Sequence, residues 1–147
     1  MINCIINNNI SNEFIPSKKF FEDWISAIDY KESAEVNIKI VTPEEMKKFN
    51  SKYRNLNKIT DTLAFPLEKI LIDNKIILGD IAMCAKKIND DADLYNKNRI
   101  DRWAHLLIHS TLHLLGYSHN NKNNQKTMEE KEISILKKFK IFNPYEL

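Results

Sequence analysis

The sequence predicts an α+β domain in which helices pack on a four-stranded mixed sheet. Three observations carry that expectation. Some segments alternate apolar with polar residues, as in Val36, Ile38 and Ile40 against Asn37 and Lys39, which is the period of a half-buried strand. Others repeat apolar residues every three or four positions, as in Phe20, Phe21, Trp24, Ile25 and Ile28, the period of an amphipathic helix. The two kinds are interspersed along 147 residues, a length that suits one domain, 1–147, around a single core.

The elements follow in order. Residues 2–7 are rich in Ile and read as a short strand, ended by the turn-forming run Asn7-Asn8-Asn9. Pro16-Ser17 opens a helix expected to reach about Tyr30. Glu35 to Val41 is the alternating strand. Thr42-Pro43-Glu44-Glu45 is a helix start, with Thr42 as cap, Pro43 at the first helical position and Glu45 completing a capping box; this helix is expected to end near Lys52. Thr62 to Leu67 reads as a strand that Pro66 pushes toward an edge or an exit. Lys75 to Cys84 is a further strand, with Gly79 marking a bulge or a close backbone approach. A short polar helix over about 85–96 is followed by a helix from about Asn98 to Leu115, whose Trp103, Leu107, Thr111 and Leu114 face the sheet. A last helix is expected over 121–140, with Met128, Ile135 and Phe139 on one side.

Bulk composition excludes some classes. The chain is 43% hydrophobic and 29% charged, ordinary for a globular protein. Its net charge of +2 is too mild to demand a nucleic-acid partner by itself. A local basic cluster exists at Lys47, Lys48, Lys52, Arg54 and Lys58: either a solvated helix face or a wall for an anionic substrate. Cys4 and Cys84 form no CxxC motif and are expected to be reduced cysteines of a cytoplasmic protein. Met1 to Ile6 lacks the basic region and cleavage site of a signal peptide. No apolar run approaches the ~20 residues that cross a bilayer, so no membrane partner is expected.

All four histidines fall between positions 105 and 119. His109 and His113 lie one helical turn apart on one face, where both can grip one metal ion. Gly116 suits the left-handed position that ends a helix, after which His119 can return to the same ion. Three imidazoles leave one tetrahedral position open, as in a catalytic zinc site. His105 shares the face but would lie about 12 Å from His113 along the axis, at 1.5 Å per residue. It is therefore expected outside the ligand set, either supporting it, lining the cleft, or serving only a structural role. The metal ligands are His109, His113 and His119, and one Zn²⁺ per chain is the expected cofactor.

Other chemistry is less specific. Arg54 is suited to clamping phosphate oxygens. Asp61 is placed to orient Arg54, to accept a proton or to cap a turn. Asp80, inside the apolar run Leu78-Gly79-Asp80-Ile81-Ala82, is expected to need a positive or hydrogen-bonding partner. The spacing HxxxHxxGxxH is that of the metzincin proteases, which place a general-base Glu after the first histidine. Ser110 occupies that position here, so a protease would need another base. A protease or other zinc hydrolase, and a non-catalytic assembly factor, stay open as alternatives.

The segment His109-Ser110-Thr111-Leu112-His113-Leu114-Leu115-Gly116-Tyr117-Ser118-His119 resembles the YbeY family of bacterial endoribonucleases and rRNA maturation factors. Tyr53-Arg54, Thr60-Asp61-Thr62-Leu63-Ala64-Phe65-Pro66 and Leu78-Gly79-Asp80-Ile81 resemble the same family in the same order. The resemblance implies a zinc-dependent endoribonuclease acting on single-stranded RNA, in 16S rRNA 3′-end maturation and ribosome quality control. It implies RNA and the ribosome or its proteins as partners, and Arg54 as a catalytic residue in the cleft. Ser110 replaces the family's usual Gly, and Ser118 its usual Asp. Ser118 brings no charge to a neighbouring histidine, so the resemblance implies weaker metal binding than in Asp-bearing relatives.

Overall fold

The structure, a computed structural model, describes residues 1–146, apart from the side chain of Lys69. The elements are β1 (Ile2–Asn7), α1 (Lys18–Ser26), β2 (Ala34–Val41), α2 (Pro43–Arg54), β3 (Thr62–Ile72), β4 (Lys75–Cys84), α3 (Ala85–Leu94), α4 (Arg99–Leu114) and α5 (Lys122–Lys137). The sheet order is β1-β2-β4-β3. β1–β2 and β2–β4 are parallel and β3–β4 is antiparallel, so the sheet is four-stranded and mixed, as expected. No helix among the described residues is long and apolar enough to cross a membrane.

Alternation along the strands separates two faces. Val36, Ile38, Ile40, Ile81 and Met83 point into the main core with Phe21, Trp24, Trp103, Leu107, Leu112 and Leu136. Ala82 and Cys84 point the other way, where Met46 of α2 covers them with Leu63 and Val41. Helix α4 is the central member of the main core. Ten of its sixteen residues are buried, and Trp103 Nε1 donates to Asn89 Oδ1 of α3 at 2.8 Å. A helix so enclosed is a rigid mount for the histidines it carries.

Local signals account for most boundaries. Thr42 Oγ1 accepts from Glu45 N, and Glu45 Oε1 accepts from Thr42 N, which is the capping box read in the sequence. Asn98 and Asn121 cap α4 and α5 with their side-chain oxygens. Pro66 lies on β3, which is an edge strand. Gly79 has φ +150°, and a Cβ there would lie 2.4 Å from the Phe65 carbonyl oxygen and 2.9 Å from Leu114 Cδ2. Opposite it the β2 register slips between Glu35 and Val36. Gly79 thus marks both a bulge and a close approach of α4 to the sheet.

Some boundaries differ from expectation. α1 ends at Ser26 rather than near Tyr30; Ile28 is still buried because the turn after the helix keeps it against the core. α2 runs on to Arg54, and α5 stops at Lys137, leaving Phe139 to pack from the following turn. β3 continues to Ile72, joined to β4 by a two-residue turn at Asp73-Asn74 with φ 51° and 64°. Both residues tolerate positive φ, yet the alternation is lost there because Leu67, Ile70, Leu71 and Ile72 are all exposed. Asp80 also departs from expectation. It is exposed on the sheet face away from α4, so water solvates it and no buried partner is required.

Candidate metal centre

Helix α4 ends in a turn that bends the chain back on itself. Leu115 caps α4 and Gly116 follows at φ +100°. Gly116 N donates to His113 O, and Tyr117 N donates to Leu112 O, both at 3.0 Å. That pair of bonds is the Schellman motif, and it turns the Tyr117 carbonyl inward. His113 Nδ1 donates to that carbonyl at 3.1 Å, leaving His113 Nε2 without a proton. Two residues later His119 arrives beside the other rings. Its ring stacks on His109 at a centroid distance of 5.9 Å and meets His113 edge-on at 4.9 Å.

His109 is held from the other side. Its Nδ1 donates to Oε1 of Glu132, a residue of α5 with no exposed surface. With both Nδ1 protons committed, the Nε2 atoms of His109 and His113 face one another at 3.0 Å. Two neutral imidazole lone pairs so close repel unless a cation lies between them. Tetrahedral bonds of about 2.0–2.1 Å to zinc place two such nitrogens about 3.3 Å apart, close to the spacing found. The donor atoms of His109, His113 and His119 all lie within 4.8 Å of one another. The residues therefore fit a metal ion. Burial, then the His109 ring, pushes the His113 imidazole below its usual pKa, which keeps it in the neutral, metal-binding form.

Glu132 gave no signal in the sequence. It is one acidic residue among several in a polar helix, and only the packing of α5 against α4 shows what it touches. Its Oε2 lies 3.1 Å from His105 Nε2 and accepts the Tyr145 hydroxyl hydrogen bond. Burial pushes the Glu132 carboxyl up, but the hydrogen bonds from His105, His109 and Tyr145 together outweigh it and hold the group at about 2. Tyr145 is itself pushed well above its usual pKa by burial and by Glu132. His105, His109 and Glu132 form a second group with converging donor atoms.

The remaining sequence candidates lie elsewhere. Asp61 does not orient Arg54. Its Oδ2 pairs with Arg102 of α4 at 3.1 Å, and its Oδ1 accepts from Thr62 N at 2.7 Å. Arg54 is the exposed last residue of α2. Among the described residues it has no ion pair, and it does not line the pocket at the histidines, which is formed by His109, His119, Gln125, Met128, Glu129, Glu132 and Tyr145. That pocket holds about 230 Å³. A larger groove of about 510 Å³ lies on the other sheet face, between Asn37, Lys39 and Asp80 and the rings of Phe49, Tyr53 and Phe65. The Ser118 hydroxyl accepts from Asn124 Nδ2 at 3.4 Å. Lys47, Lys48, Lys52 and Lys58 are all exposed.

The chain is similar to known proteins over most of its length. The family model described as "Endoribonuclease YbeY" matches residues 5–140. Proteins of that name from two Buchnera aphidicola subspecies are each 42% identical. The alignments cover 91% of this chain and 88% of the Cinara cedri protein, and 95% and 90% for Schizaphis graminum. One from Psychromonas ingrahamii is 36% identical over 89% of this chain and 87% of its own. The solution structure of TM1509 from Thermotoga maritima has the same fold, with a TM-score of 0.55 at 21% identity and full coverage of both chains. With its family model spanning nearly the whole chain and its three histidines gathered around one point, the chain belongs to the endoribonuclease YbeY family.

Proposed function

We propose that this protein is a zinc-dependent endoribonuclease that cuts single-stranded RNA, acting in 16S rRNA 3′-end maturation and ribosome quality control in the cytoplasm. The observation that carries the reading is the convergence of three imidazoles on one point in a chain of this family. When bound, zinc supplies a Lewis acid and a nucleophile at neutral pH. His109 and His113 offer Nε2, and their Nδ1 protons are tied down by Glu132 and Tyr117. Arg54 is assigned to neutralise phosphate charge as it builds up in the transition state. Its exposure at the end of α2, beside Lys52 and Lys58, suits a polyanionic substrate.

The protease reading lacks its base. Ser110 stands where that base would be and is buried in α4. Glu132 cannot replace it, because three donors already occupy its oxygens. The test is cleavage of a labelled single-stranded RNA by wild type and His113→Ala, purified side by side with zinc. Cutting by the wild type alone supports the reading. Cutting by neither folded protein overturns it in favour of a protease or an assembly factor.

A further inference from the structure

We infer that Glu132, clamped by His105 and by Tyr145 of the C-terminal segment, is the positioning residue that prepares His109 for the metal. The inference rests on the metal reading above and adds the residues that sustain it.

The argument begins with burial. Glu132 has no exposed surface, and a carboxylate removed from water needs compensation. Among the described residues its partners are His105, His109 and Tyr145, with no lysine or arginine in the set. Every bond fits one protonation pattern. His109 donates from Nδ1 to Oε1, while His105 and Tyr145 both donate to Oε2. His105 Nδ1 is then an acceptor, and Arg102 Nη1 lies 3.5 Å from it. Arg102 in turn holds Asp61 at 3.1 Å. The chain from Asp61 through Arg102, His105 and Glu132 thus ends on the His109 ring.

The pattern has one outcome at the site. A carboxylate accepting from Nδ1 forces the tautomer with a bare Nε2 and fixes the ring plane, while its negative charge makes Nε2 a stronger donor. The buried charge is also a counter-charge for a divalent ion held at His109. Tyr145 carries the same logic to the C-terminus. It is 13 residues beyond Glu132, on a segment that returns across α4 and α5 and closes one side of the histidine pocket. His113, held only by a backbone carbonyl, has no comparable support, so the two ligands of α4 are prepared by different means.

The test measures metal binding, not catalysis. Zinc affinity is read by competition with a chromophoric chelator, and the Co²⁺-substituted protein is read by its visible ligand-field bands. Glu132→Gln is expected to bind zinc roughly 10–100-fold more weakly and to shift the Co²⁺ bands. Tyr145→Phe keeps the carboxylate and removes one donor, so its loss in zinc affinity is expected to be several-fold, with the metal-free protein still folded but melting below the wild type because a buried carboxylate has lost one hydrogen bond. Equal affinity and unchanged bands in Tyr145→Phe and in a folded Glu132→Gln overturn the inference and leave the metal reading intact. If Glu132→Gln does not fold, the Tyr145→Phe affinity decides. A wild type that binds no divalent metal overturns both.

Discussion

His113 Nδ1 donates to the carbonyl oxygen of Tyr117, 3.1 Å away across the turn that ends α4. One residue between them, Gly116, makes that bond possible. At φ +100° it takes a conformation that side chains disfavour, yet nothing lies within 4 Å of where a Cβ would sit. Gly116→Ala therefore carries backbone strain and no clash. The expected cost is about 1–2 kcal/mol, a fall in Tm of roughly 2–8 °C for a domain of this size. Zinc affinity should fall as well, because relaxing the turn moves the carbonyl that holds His113. A variant with wild-type Tm and wild-type zinc affinity removes this account of the turn.

Gly79 is the contrasting glycine. Its missing Cβ would lie 2.4 Å from a backbone oxygen of β3 and 2.9 Å from Leu114, so neither the sheet nor α4 can yield cheaply. Gly79→Ala is expected to cost about 3 kcal/mol or more, combining strain with overpacking. Denaturant midpoints of the two glycine variants, measured together, should rank Gly79→Ala well below Gly116→Ala.

Arg54 is exposed and pairs with no acid among the described residues, so its replacement should hardly touch stability. Arg54→Ala is expected to keep Tm and zinc content while lowering RNA cleavage roughly 10²–10³-fold, the usual effect of losing one donor to developing charge. Arg54→Lys restores charge without the planar fork and should recover only part of the loss. Equal cleavage by wild type and Arg54→Ala would remove Arg54 from the mechanism.

Most of the fold was legible because the governing signals are local. The capping box at Thr42 and Glu45, the edge placement of Pro66 and the special role of Gly79 each depend on a few neighbouring residues. The histidine triad was legible for the same reason, since helical spacing and one glycine place all three. Contacts between distant elements were not. Asp61 meets Arg102 across 41 positions, and Glu132 meets His109 across 23. No spacing rule links such pairs. The far half of β3 was missed because its apolar residues face water and break the alternation that marks a strand.

Glu132 gives acid stability a definite sign. Its carboxyl is held at about 2, against an ordinary 4.5. The unfolded chain takes up the proton near the higher value, so the contribution to stability is full above it and is lost as pH falls towards the lower one. Urea midpoints of the metal-free protein should therefore decline between about pH 5 and pH 3. Glu132→Gln should flatten part of that decline. Asp93 is lowered too, by its hydrogen bonds to Arg99, but that pair is exposed and should be screened in moderate salt. Parallel curves for wild type and Glu132→Gln would show that the carboxylate is not the group responsible.

Removing the metal separates a catalytic site from a structural one. The rings of His109, His113 and His119 stand at the end of α4, outside the core built on Trp24, Ile38, Ile81, Trp103 and Leu107. That core closes without any imidazole. Chelation is therefore expected to abolish RNA cleavage while the helical circular dichroism stays. Tm should fall only by linkage, by the equivalent of about 3–4 kcal/mol when zinc had been present at 100–1,000 times its Kd. Cleavage should return on adding zinc back, without a refolding step. Loss of helical signal on chelation would mean instead that the histidines bind zinc to complete the fold. Three imidazoles with one position open would then need a fourth ligand from the chain. In the catalytic reading, the exposed side of the cluster, where His119 meets water, would be the side open to substrate.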